Sequence, residues 1–563
     1  MEERRLLLAI ALSLLVLTGY SLLFSPRRPP PEDVDRATPA TEPTAPIAPT
    51  IAPPAPASPP PEPAERSSPV PRVVAAEEKR VEVVAADYTV AFTNRGARLL
   101  SWTLGEYTDA RGRPEEMVPA LTPGVRPLDL ETGEASLDQR LREALFVPST
   151  DTLPLAEGAS GELVFRYAEG DIEADKALRF EGQTGLVSVS AGVRRAGEPV
   201  RCRLTWGPGL GNPTESDKGG QFYTEPQGVA LVGGDVERFP AGKLGPEGRE
   251  LRGVRWVGIE SQYFAALFLP ALPPDGQTVA RIRPVSLPAE GGNEPAVAAV
   301  AEVAAGGEVR LYVGPKDYTG LERLGHQLER VVPVGEWIGP IAVVLMRLLR
   351  WVHGHVGNWG WAIVILTVLI NMVMAPLRHY SIANGLRMAK MSPEMRAIQE
   401  RYRKVPLMDP RRQQMQEEMA ALYARHGMSM GTQMLVGCLP LLLTMPFLFA
   451  FYRVLTVSVE LRGASFLWIS DLSQKDPLYL TPVLMGVSMY AMQKMTPTAM
   501  DPAQQRIMML MPVVLAGMFM AAPAGLNLYW LTANLWSILQ QVVEMRLLRP
   551  AEAPSPKKEH RRR

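Results

Sequence analysis

The chain has 563 residues, and its 59 Lys and Arg are balanced by 59 Asp and Glu. With 46% hydrophobic residues, these averages are typical of an ordinary soluble protein and leave room for one large domain and a second region. Cys202 and Cys438, its two cysteines, lie in different regions. They exclude a disulfide framework and a thiolate metal site. The apolar residues are distributed very unevenly, so the order of segments is more informative than the averages.

An apolar segment lies near the N-terminus. Residues 6–24 are 19 mostly apolar residues that follow the charged residues 1–5. At about 1.5 Å per residue they can cross a hydrocarbon core of ~30 Å. A cleaved signal peptide is the alternative, but residues 19–30 contain no Ala-x-Ala cleavage pattern. We therefore predict an uncleaved anchor whose preceding arginine pair keeps the N-terminus in the cytoplasm.

A proline-rich segment and a β-rich region follow. Residues 25–72 hold 17 of the 53 prolines, a composition that cannot bury a core and predicts an extended linker. Residues 73–330 contain short β-rich runs separated by Gly and Pro turns. This pattern predicts a large antiparallel β-sandwich, which can bind sugars or peptides in a groove. The clearest runs are residues 81–86, 88–93, 163–167, 187–193, 297–303 and 309–313.

Motifs of enzymatic chemistry are absent from the sequence. It contains no P-loop, no H-E-x-x-H pair and no Gly-x-Ser-x-Gly elbow. Residues 158–161 (GASG) resemble a protease serine motif, but they lie in a polar stretch and are interpreted as a turn. The six histidines are scattered apart from His353 and His355, which alone cannot hold a metal. The sequence therefore predicts a protein that is not an enzyme and has no cofactor or metal.

Residues 331–356 are apolar on one side and carry basic residues toward their end. We interpret them as an amphipathic helix in the membrane interface. The alternative is a hydrophobic helix packed on the soluble domain. Five apolar segments of spanning length follow, which predicts a six-span α-helical membrane protein when the N-terminal anchor is included. These segments are residues 357–377, 431–456, 478–495, 506–522 and 525–546.

The charges between the spans predict their orientation. Residues 378–430 carry ten Lys and Arg against five Asp and Glu, and the tail, residues 547–563, is also basic. Basic segments remain in the cytoplasm, as does the short loop 496–505 in this arrangement. The β domain and the loop 457–477 then lie in the periplasm. The expected location is the cell inner membrane, with both termini cytoplasmic.

The segment 378–430 has the periodicity of a helical hairpin whose second helix covers residues 410–425. Methionines alternate with basic residues, and methionine suits a surface that accepts many apolar partners. The alternative is that the methionines pack against one another. The predicted contact residues of the hairpin are Arg387, Met388, Met391, Met395 and Arg396.

Several motifs in this order resemble the YidC/Oxa family of membrane protein insertases, of the bacterial type with a large periplasmic domain. They are residues 313–316 (VGPK), 437–440 (GCLP), 459–477 (VELRGASFLWISDLSQKDP), 485–489 (MGVSM) and 523–530 (PAGLNLYW). The resemblance implies a hydrophilic groove within the membrane that receives polar parts of a nascent segment. The groove residues it implies here are Thr367, Asn371, Arg378, Thr444, Tyr529 and Trp530.

One of these positions departs from the family. The groove of the family has an arginine where this chain has Asn371, which can form hydrogen bonds but carries no charge. Its alternative role is a helix–helix hydrogen bond, worth ~1 kcal/mol. Arg378 either supplies the missing charge or anchors the end of the span in the cytoplasm. Tyr529 and Trp530 either contact the substrate or pack between helices.

The resemblance implies an insertase and chaperone of integral membrane proteins that acts alone or with the Sec translocase (SecYEG and SecDF). Its other implied partners are ribosomes or targeting factors, at the hairpin and the basic tail, and membrane lipids. Two other classes remain open: a secondary transporter or channel, and a membrane-anchored envelope protein that binds carbohydrate. Against the former, the sequence shows no duplicated hydropathy pattern.

Overall fold

The computed structural model describes residues 71–109, 111–119, 124–181, 186–212, 223–271, 278–289, 292–304, 307–335, 337–402, 405–406, 409–426, 445–496 and 502–548. The chain divides into two units, residues 1–67 and 68–563, and all described residues belong to the second. The predicted anchor 6–24, most of the linker, the GCLP motif, Thr444 and nearly all of the basic tail lie outside the described residues.

The N-terminal part of the second unit is built from three β-sheets. The first has the order β4-β3-β2-β1-β7. Its strands are β1 (Arg80–Val84), β2 (Tyr88–Thr93), β3 (Arg98–Thr108), β4 (Pro114–Glu116) and β7 (Thr152–Pro154). The third has the order β15-β18-β19-β12-β5. Its strands are β5 (Asp129–Glu131), β12 (Cys202–Trp206), β15 (Arg249–Arg252), β18 (Val279–Ala289) and β19 (Gly292–Val303).

The second sheet is the largest, with the order β14-β13-β16-β17-β20-β10-β9-β8-β6 and β11 paired to β10. Its strands are β6 (Val147–Pro148), β8 (Ser160–Glu169), β9 (Ile172–Glu181), β10 (Leu186–Arg195), β11 (Glu198–Val200), β13 (Gln227–Val232), β14 (Asp235–Phe239), β16 (Val254–Glu260), β17 (Phe264–Pro270) and β20 (Glu308–Pro315). Among the described strands, pairs are antiparallel except β1 with β7. The β-rich domain predicted from the sequence is thus confirmed.

Alternating side chains of the strands form the core between the sheets. Trp102 and Trp206 lie edge to face with ring centroids 6.4 Å apart, and Phe180 lies 6.4 Å from Trp102. All three come from different sheets, so these rings join the layers. Aromatic side chains bury the largest apolar areas in such cores.

Lys176 is a charged side chain at a core position. β9 alternates inward and outward residues, and Lys176 points inward with no solvent exposure. Its Nζ donates hydrogen bonds to the carbonyl oxygens of Ala97 and Leu128, each at 2.6 Å. Burial lowers the pKa of Lys176 from 10.5 to about 8, because removal from water disfavours the charged ammonium.

This shifted pKa predicts a pH dependence of stability. Between about pH 8 and 10.5, the folded state has lost the Lys176 proton while the unfolded chain keeps it. The unfolded state then binds more protons, so the contribution of Lys176 to the free energy of unfolding rises with pH, by up to about 1.4 kcal/mol per pH unit. Thermal unfolding of wild type and Lys176→Met across this range checks it. A difference between the two that does not change with pH would contradict the prediction.

Nine helices are described. They are α1 (Ala135–Glu143), α2 (Tyr318–Leu324), α3 (Gly339–Val356), α4 (Trp359–Arg401), α5 (Arg411–Arg425), α6 (Met445–Val457), α7 (Leu480–Met495), α8 (Pro502–Met518) and α9 (Ala524–Leu548). Among the described residues, α4 is the one helix long and apolar enough to cross a membrane by length and composition. The apolar stretches Met445–Val457 and Gln505–Ala521 are shorter. The number of spans therefore stays a prediction.

Helix α4 differs from the expected division at residues 377 and 378. It continues for 43 residues from the first predicted span of the bundle into the hairpin, with Pro376 and Pro393 inside it. A proline removes one backbone donor from a helix. The loss at Pro376 leaves the helix continuous, so the predicted boundary is not a helix end. The hairpin is formed by the distal part of α4 and by α5.

Helix α3, which falls within the predicted interfacial segment, combines the two interpretations given above. Ala342, Leu345 and Leu349 are buried in a cluster that includes Leu267 of β17. The opposite side is apolar and exposed: Trp351 is 61% exposed. One face is therefore buried in the cluster that joins strands and helices, and the other is suited to the lipid interface.

Ion pairs connect the β domain to the helices. The guanidinium of Arg350 in α3 pairs with Asp317, just before α2, and with Glu460 in the loop after α6. In the same loop, Arg462 bonds Glu115 of β4 at 2.6 Å. We call these two groups the joint. It fixes α3 and the loop after α6 on one edge of the β domain.

Candidate functional site

Helix α9 carries buried polar residues at helical spacing. Asn527, Asn534 and Gln541 recur every seven residues and are 0%, 5% and 5% exposed. Ser537 and Glu544 are also seven residues apart and are 8% and 6% exposed. A seven-residue spacing brings side chains to nearly the same face of a helix. We call this surface, together with Gln540, the polar face of α9.

The first half of the polar face contacts α7 and the turn before α9. The amide of Asn534 donates to the hydroxyl of Ser488 in α7 at 3.1 Å, and that hydroxyl donates to the carbonyl oxygen of Met485 at 2.7 Å. The amide of Asn527 donates to the carbonyl oxygen of Phe519 at 3.2 Å. Within the described residues, the side-chain oxygen of Asn527 is buried without a hydrogen-bond partner.

The second half contacts α4. A guanidinium N–H of Arg378 donates to the hydroxyl of Ser537. Gln540 donates to the carbonyl oxygen of Ala375 at 2.9 Å and to Oε1 of Glu544 at 2.7 Å. His379 Nδ1 lies 3.4 Å from Oε2 of Glu544. Charged and amide side chains from two otherwise apolar helices therefore meet in one place.

Thr367 and Asn371 bond within their own helix. Thr367 is fully buried, and its hydroxyl donates to the carbonyl oxygen of Ile363 at 2.6 Å. Asn371 is half-buried and donates to the carbonyl oxygen of Thr367 at 2.8 Å. The alternative helix–helix hydrogen bond of Asn371 is not the one observed, because its amide is used one turn back along α4.

The aromatic pair of α9 packs against its neighbours. The ring of Tyr529 stacks on Phe451 of α6, with centroids 4.3 Å apart and an interplanar angle of 13°. Trp530 meets Phe519 edge-on at 4.8 Å. Both are half-buried. Both rings therefore pack against neighbouring residues, as one of the two interpretations above has it, and each ring keeps part of its surface accessible.

The predicted hairpin residues divide into two groups. Met391 and Met395 are 1% and 8% exposed and pack between α4 and α5. They are therefore not available to a partner, as the alternative interpretation predicted. Arg387 and Arg396 are exposed, and Met388 is half-buried at the edge of the cluster.

Comparison with known proteins identifies the family. The profile of the YidC periplasmic domain matches residues 80–348, and that of the 60Kd inner membrane protein matches residues 351–551. The membrane protein insertase YidC of Geobacter metallireducens is 33% identical over 571 residues, which cover 98% of this chain and 100% of that relative.

The chain belongs to the YidC family of membrane protein insertases. The YidC of Syntrophus aciditrophicus is 31% identical and covers 96% of this chain and 98% of its own length. A crystal structure of an active YidC insertase with its first transmembrane domain resolved is 17% identical, covers 84% of this chain and 94% of that one, and has a TM-score of 0.34. The two YidC-family profiles adjoin inside α3, next to Arg350 of the joint.

Several polar residues of this YidC-family chain were missed by the sequence reasoning. Ser488, Asn534, Ser537, Gln540 and Glu544 lie with Arg378 between α4, α7 and α9. A signal was present, because polar residues at seven-residue spacing in an apolar helix predict a buried polar face. The motif comparison directed attention to Tyr529 and Trp530 instead.

Apolar residues of three helices line a cavity. It has a volume of about 520 Å³ between α3, α4 and α6. Leu348 and Trp351 line it from α3, Leu369 and Val373 from α4, and Phe447 from α6. In this YidC-family chain α4 thus contributes both to the polar contacts with α9 and to the lining of the apolar cavity.

Proposed function

We propose that the chain inserts integral membrane proteins into the inner membrane by passing their polar flanks over the polar face of α9. The observation that supports this most directly is the meeting of Arg378, Ser537, Gln540 and Glu544 between α4 and α9. A charged group costs ~2.5–3.5 kcal/mol at the centre of a span on insertion scales, and ionisable residues that face the interior of a helix bundle mark function. The YidC relatives are named as membrane protein insertases.

The work of this site is to lower the cost of moving a polar flank into the bilayer. The side chains of the polar face offer hydrogen-bond donors and acceptors within the bilayer. They replace part of the hydration that the polar flank loses when it enters. Arg378 supplies positive charge to the groove two turns along α4 from Asn371, which offers its side-chain oxygen as an acceptor. The apolar part of the segment then moves into the lipid along the apolar cavity, whose lining residues include Trp351 and Val373. Contact with this lining keeps apolar surface out of water.

The other groove residues have supporting roles in this proposal. Thr367 orients Asn371, because its backbone carbonyl oxygen accepts the hydrogen bond that the side-chain amide of Asn371 donates. Tyr529 and Trp530 present the accessible part of their rings to the passing segment, because amphipathic rings contact both apolar and polar surfaces. Thr444 is assigned to the groove by the family resemblance alone.

The proposed topology has both termini and the hairpin in the cytoplasm and the β domain in the periplasm. The net charge of residues 378–430, ten basic against five acidic residues, supports it. The exposed Arg387 and Arg396 of the hairpin suit contact with ribosomes or targeting factors, since clustered cations bind RNA. We propose two further partners: anionic lipids at the exposed face of α3, and the Sec translocase.

Removing the charge of Arg378 tests its role. We expect Arg378→Ala to reduce insertion of a test protein with an acidic translocated tail by about tenfold, because one charge–charge attraction is lost near a protein surface. Protease protection of the tail in proteoliposomes measures it. Arg546→Ala is the matched control, since Arg546 is exposed near the end of α9. Normal insertion by Arg378→Ala would remove Arg378 from the mechanism.

Site-specific crosslinking tests the groove itself. A photoreactive residue at position 371 or 529 should crosslink to the membrane segment of a stalled nascent protein, whereas one at exposed Arg252 of the β domain should not. If neither groove position yields a crosslink while the control protein is expressed equally, the proposed path of the substrate is wrong.

A further inference from the structure

A buried carboxylate lies on the polar face of α9, as does the serine that Arg378 bonds. Glu544 is 6% exposed, and its Oε1 accepts a hydrogen bond from Gln540 at 2.7 Å. Within the described residues its Oε2 is buried without a hydrogen-bond donor. His379 Nδ1, at 3.4 Å, is near enough for an ion pair when the imidazole is protonated, but it forms no hydrogen bond.

The carboxylate does not neutralise the arginine. No ion pair joins Arg378 and Glu544 in the part of the chain that the structure describes, where Arg378 bonds the Ser537 hydroxyl instead. Ser537 and Glu544 are seven residues apart, which separates them by roughly 10 Å along α9. Glu544 thus lies two turns beyond the serine that Arg378 bonds, and its Oε2 keeps hydrogen-bonding capacity that the described residues do not use.

Unused capacity on a buried charge is costly. Removing a carboxylate from water without complete pairing destabilises the folded state, so proteins rarely retain one for stability. Intramembrane ionisable residues instead mark binding sites or pathways. The buried Oε2 of Glu544 therefore calls for a ligand that brings a positive charge and a hydrogen-bond donor.

We propose that Glu544 extends the groove to basic substrate flanks: its carboxylate binds the ammonium or guanidinium of a lysine or arginine in the passing segment. This rests on the proposed insertase function and specifies its substrates. A groove with arginine alone would repel a basic flank. Glu544 offsets that repulsion and offers Oε2 as the acceptor.

The surroundings of Glu544 suit this role. Gln540 holds Oε1 and is itself fixed by the carbonyl oxygen of Ala375, so the carboxylate is oriented before a substrate arrives. His379 covers Oε2 from a side chain that is 56% exposed. An exposed side chain moves aside at small energetic cost, which gives an incoming lysine or arginine access to Oε2.

The test uses the full chain in proteoliposomes without a membrane potential. Three single-span substrates differ at one tail position, which carries Lys, Asp or Gln, and the protected fraction of each tail is measured. We expect Glu544→Gln to lower the Lys-to-Gln insertion ratio about tenfold and Arg378→Gln to lower the Asp-to-Gln ratio similarly. Glu400→Gln, at an exposed site near the end of α4, should change neither ratio.

Each other outcome has one meaning. If Glu544→Gln lowers insertion of all three substrates equally, or leaves the Lys-to-Gln ratio unchanged, the inference is wrong while the insertase function stands. If wild type protects no tail above empty liposomes, the proposed function fails as well. Glu544→Asp provides rescue: it keeps the charge, so the Lys-to-Gln ratio should return toward that of wild type, and failure to do so would assign Glu544 a structural role.

Discussion

Replacing Arg350 with alanine is expected to lower the free energy of unfolding by about 3 kcal/mol, the lower end of the range for breaking a buried ion pair. Its guanidinium pairs with both Asp317 and Glu460, whose side chains are 26% and 17% exposed. Without Arg350 the two carboxylates repel each other across the joint. The loop after α6 then loses its attachment to α3 and to the segment that follows β20.

The measurement is the midpoint of thermal unfolding of the purified protein in detergent. Arg347→Ala is a close control, because Arg347 lies one turn earlier on α3 and pairs with Glu322 at the surface, with 56% and 41% of the side chains exposed. Exposed pairs contribute up to about 1 kcal/mol. Equal shifts in the two variants would show that the joint does not stabilise the fold.

Replacing Glu260 with alanine is expected to cost about 3–5 kcal/mol, because it leaves the buried ammonium of Lys316 and the partly buried guanidinium of Arg238 without their counter-charge. Glu260 is 1% exposed and lies in β16. Its carboxylate accepts from Lys316 Nζ at 3.1 Å and from Arg238 Nε at 2.6 Å. Lys316 follows β20 and is 3% exposed. Burial lowers the pKa of Lys316 and the Glu260 charge opposes this, so losing Glu260 favours release of the lysine proton.

Two further variants separate charge from volume. Glu260→Gln keeps the shape and one acceptor but not the charge. Its free energy of unfolding should therefore lie between that of wild type and that of Glu260→Ala. Glu250→Ala removes an exposed glutamate that pairs with Arg252 and Arg281, and it should leave the unfolding midpoint unchanged. A Glu260→Ala protein as stable as wild type would mean that the buried cations find other partners.

The sequence predicted strands where the local pattern is strong. β2 has the predicted bounds, because YTVAFT is rich in β-branched and aromatic residues. Pairing could not be predicted in the same way. β10 pairs with β20, which is more than 100 residues further along the chain, and nothing local to either strand specifies that partner. Short strands such as β6 and β7 exist because neighbouring strands offer hydrogen bonds.

Charged residues limited the prediction of the site. Lys176 and Glu544 are ordinary surface residues by type, and only three-dimensional neighbours explain their burial. The family resemblance predicted Asn371 as a groove residue but could not show that its amide bonds the backbone of its own helix. It also could not place Arg378, whose interaction with Ser537 depends on how α4 and α9 pack.

The length of α4 has a mechanical consequence. Its 43 residues form a rod of roughly 64 Å, about twice the ~30 Å of a hydrocarbon core. Thr367 and Asn371 belong to the same helix as Arg387 and Arg396, the exposed arginines of the hairpin. A tilt of about 5° moves a point ~40 Å from the pivot by ~3 Å. We therefore expect engagement of the hairpin to shift the proposed wall of the groove through the continuous helix, despite the backbone donors lost at Pro376 and Pro393.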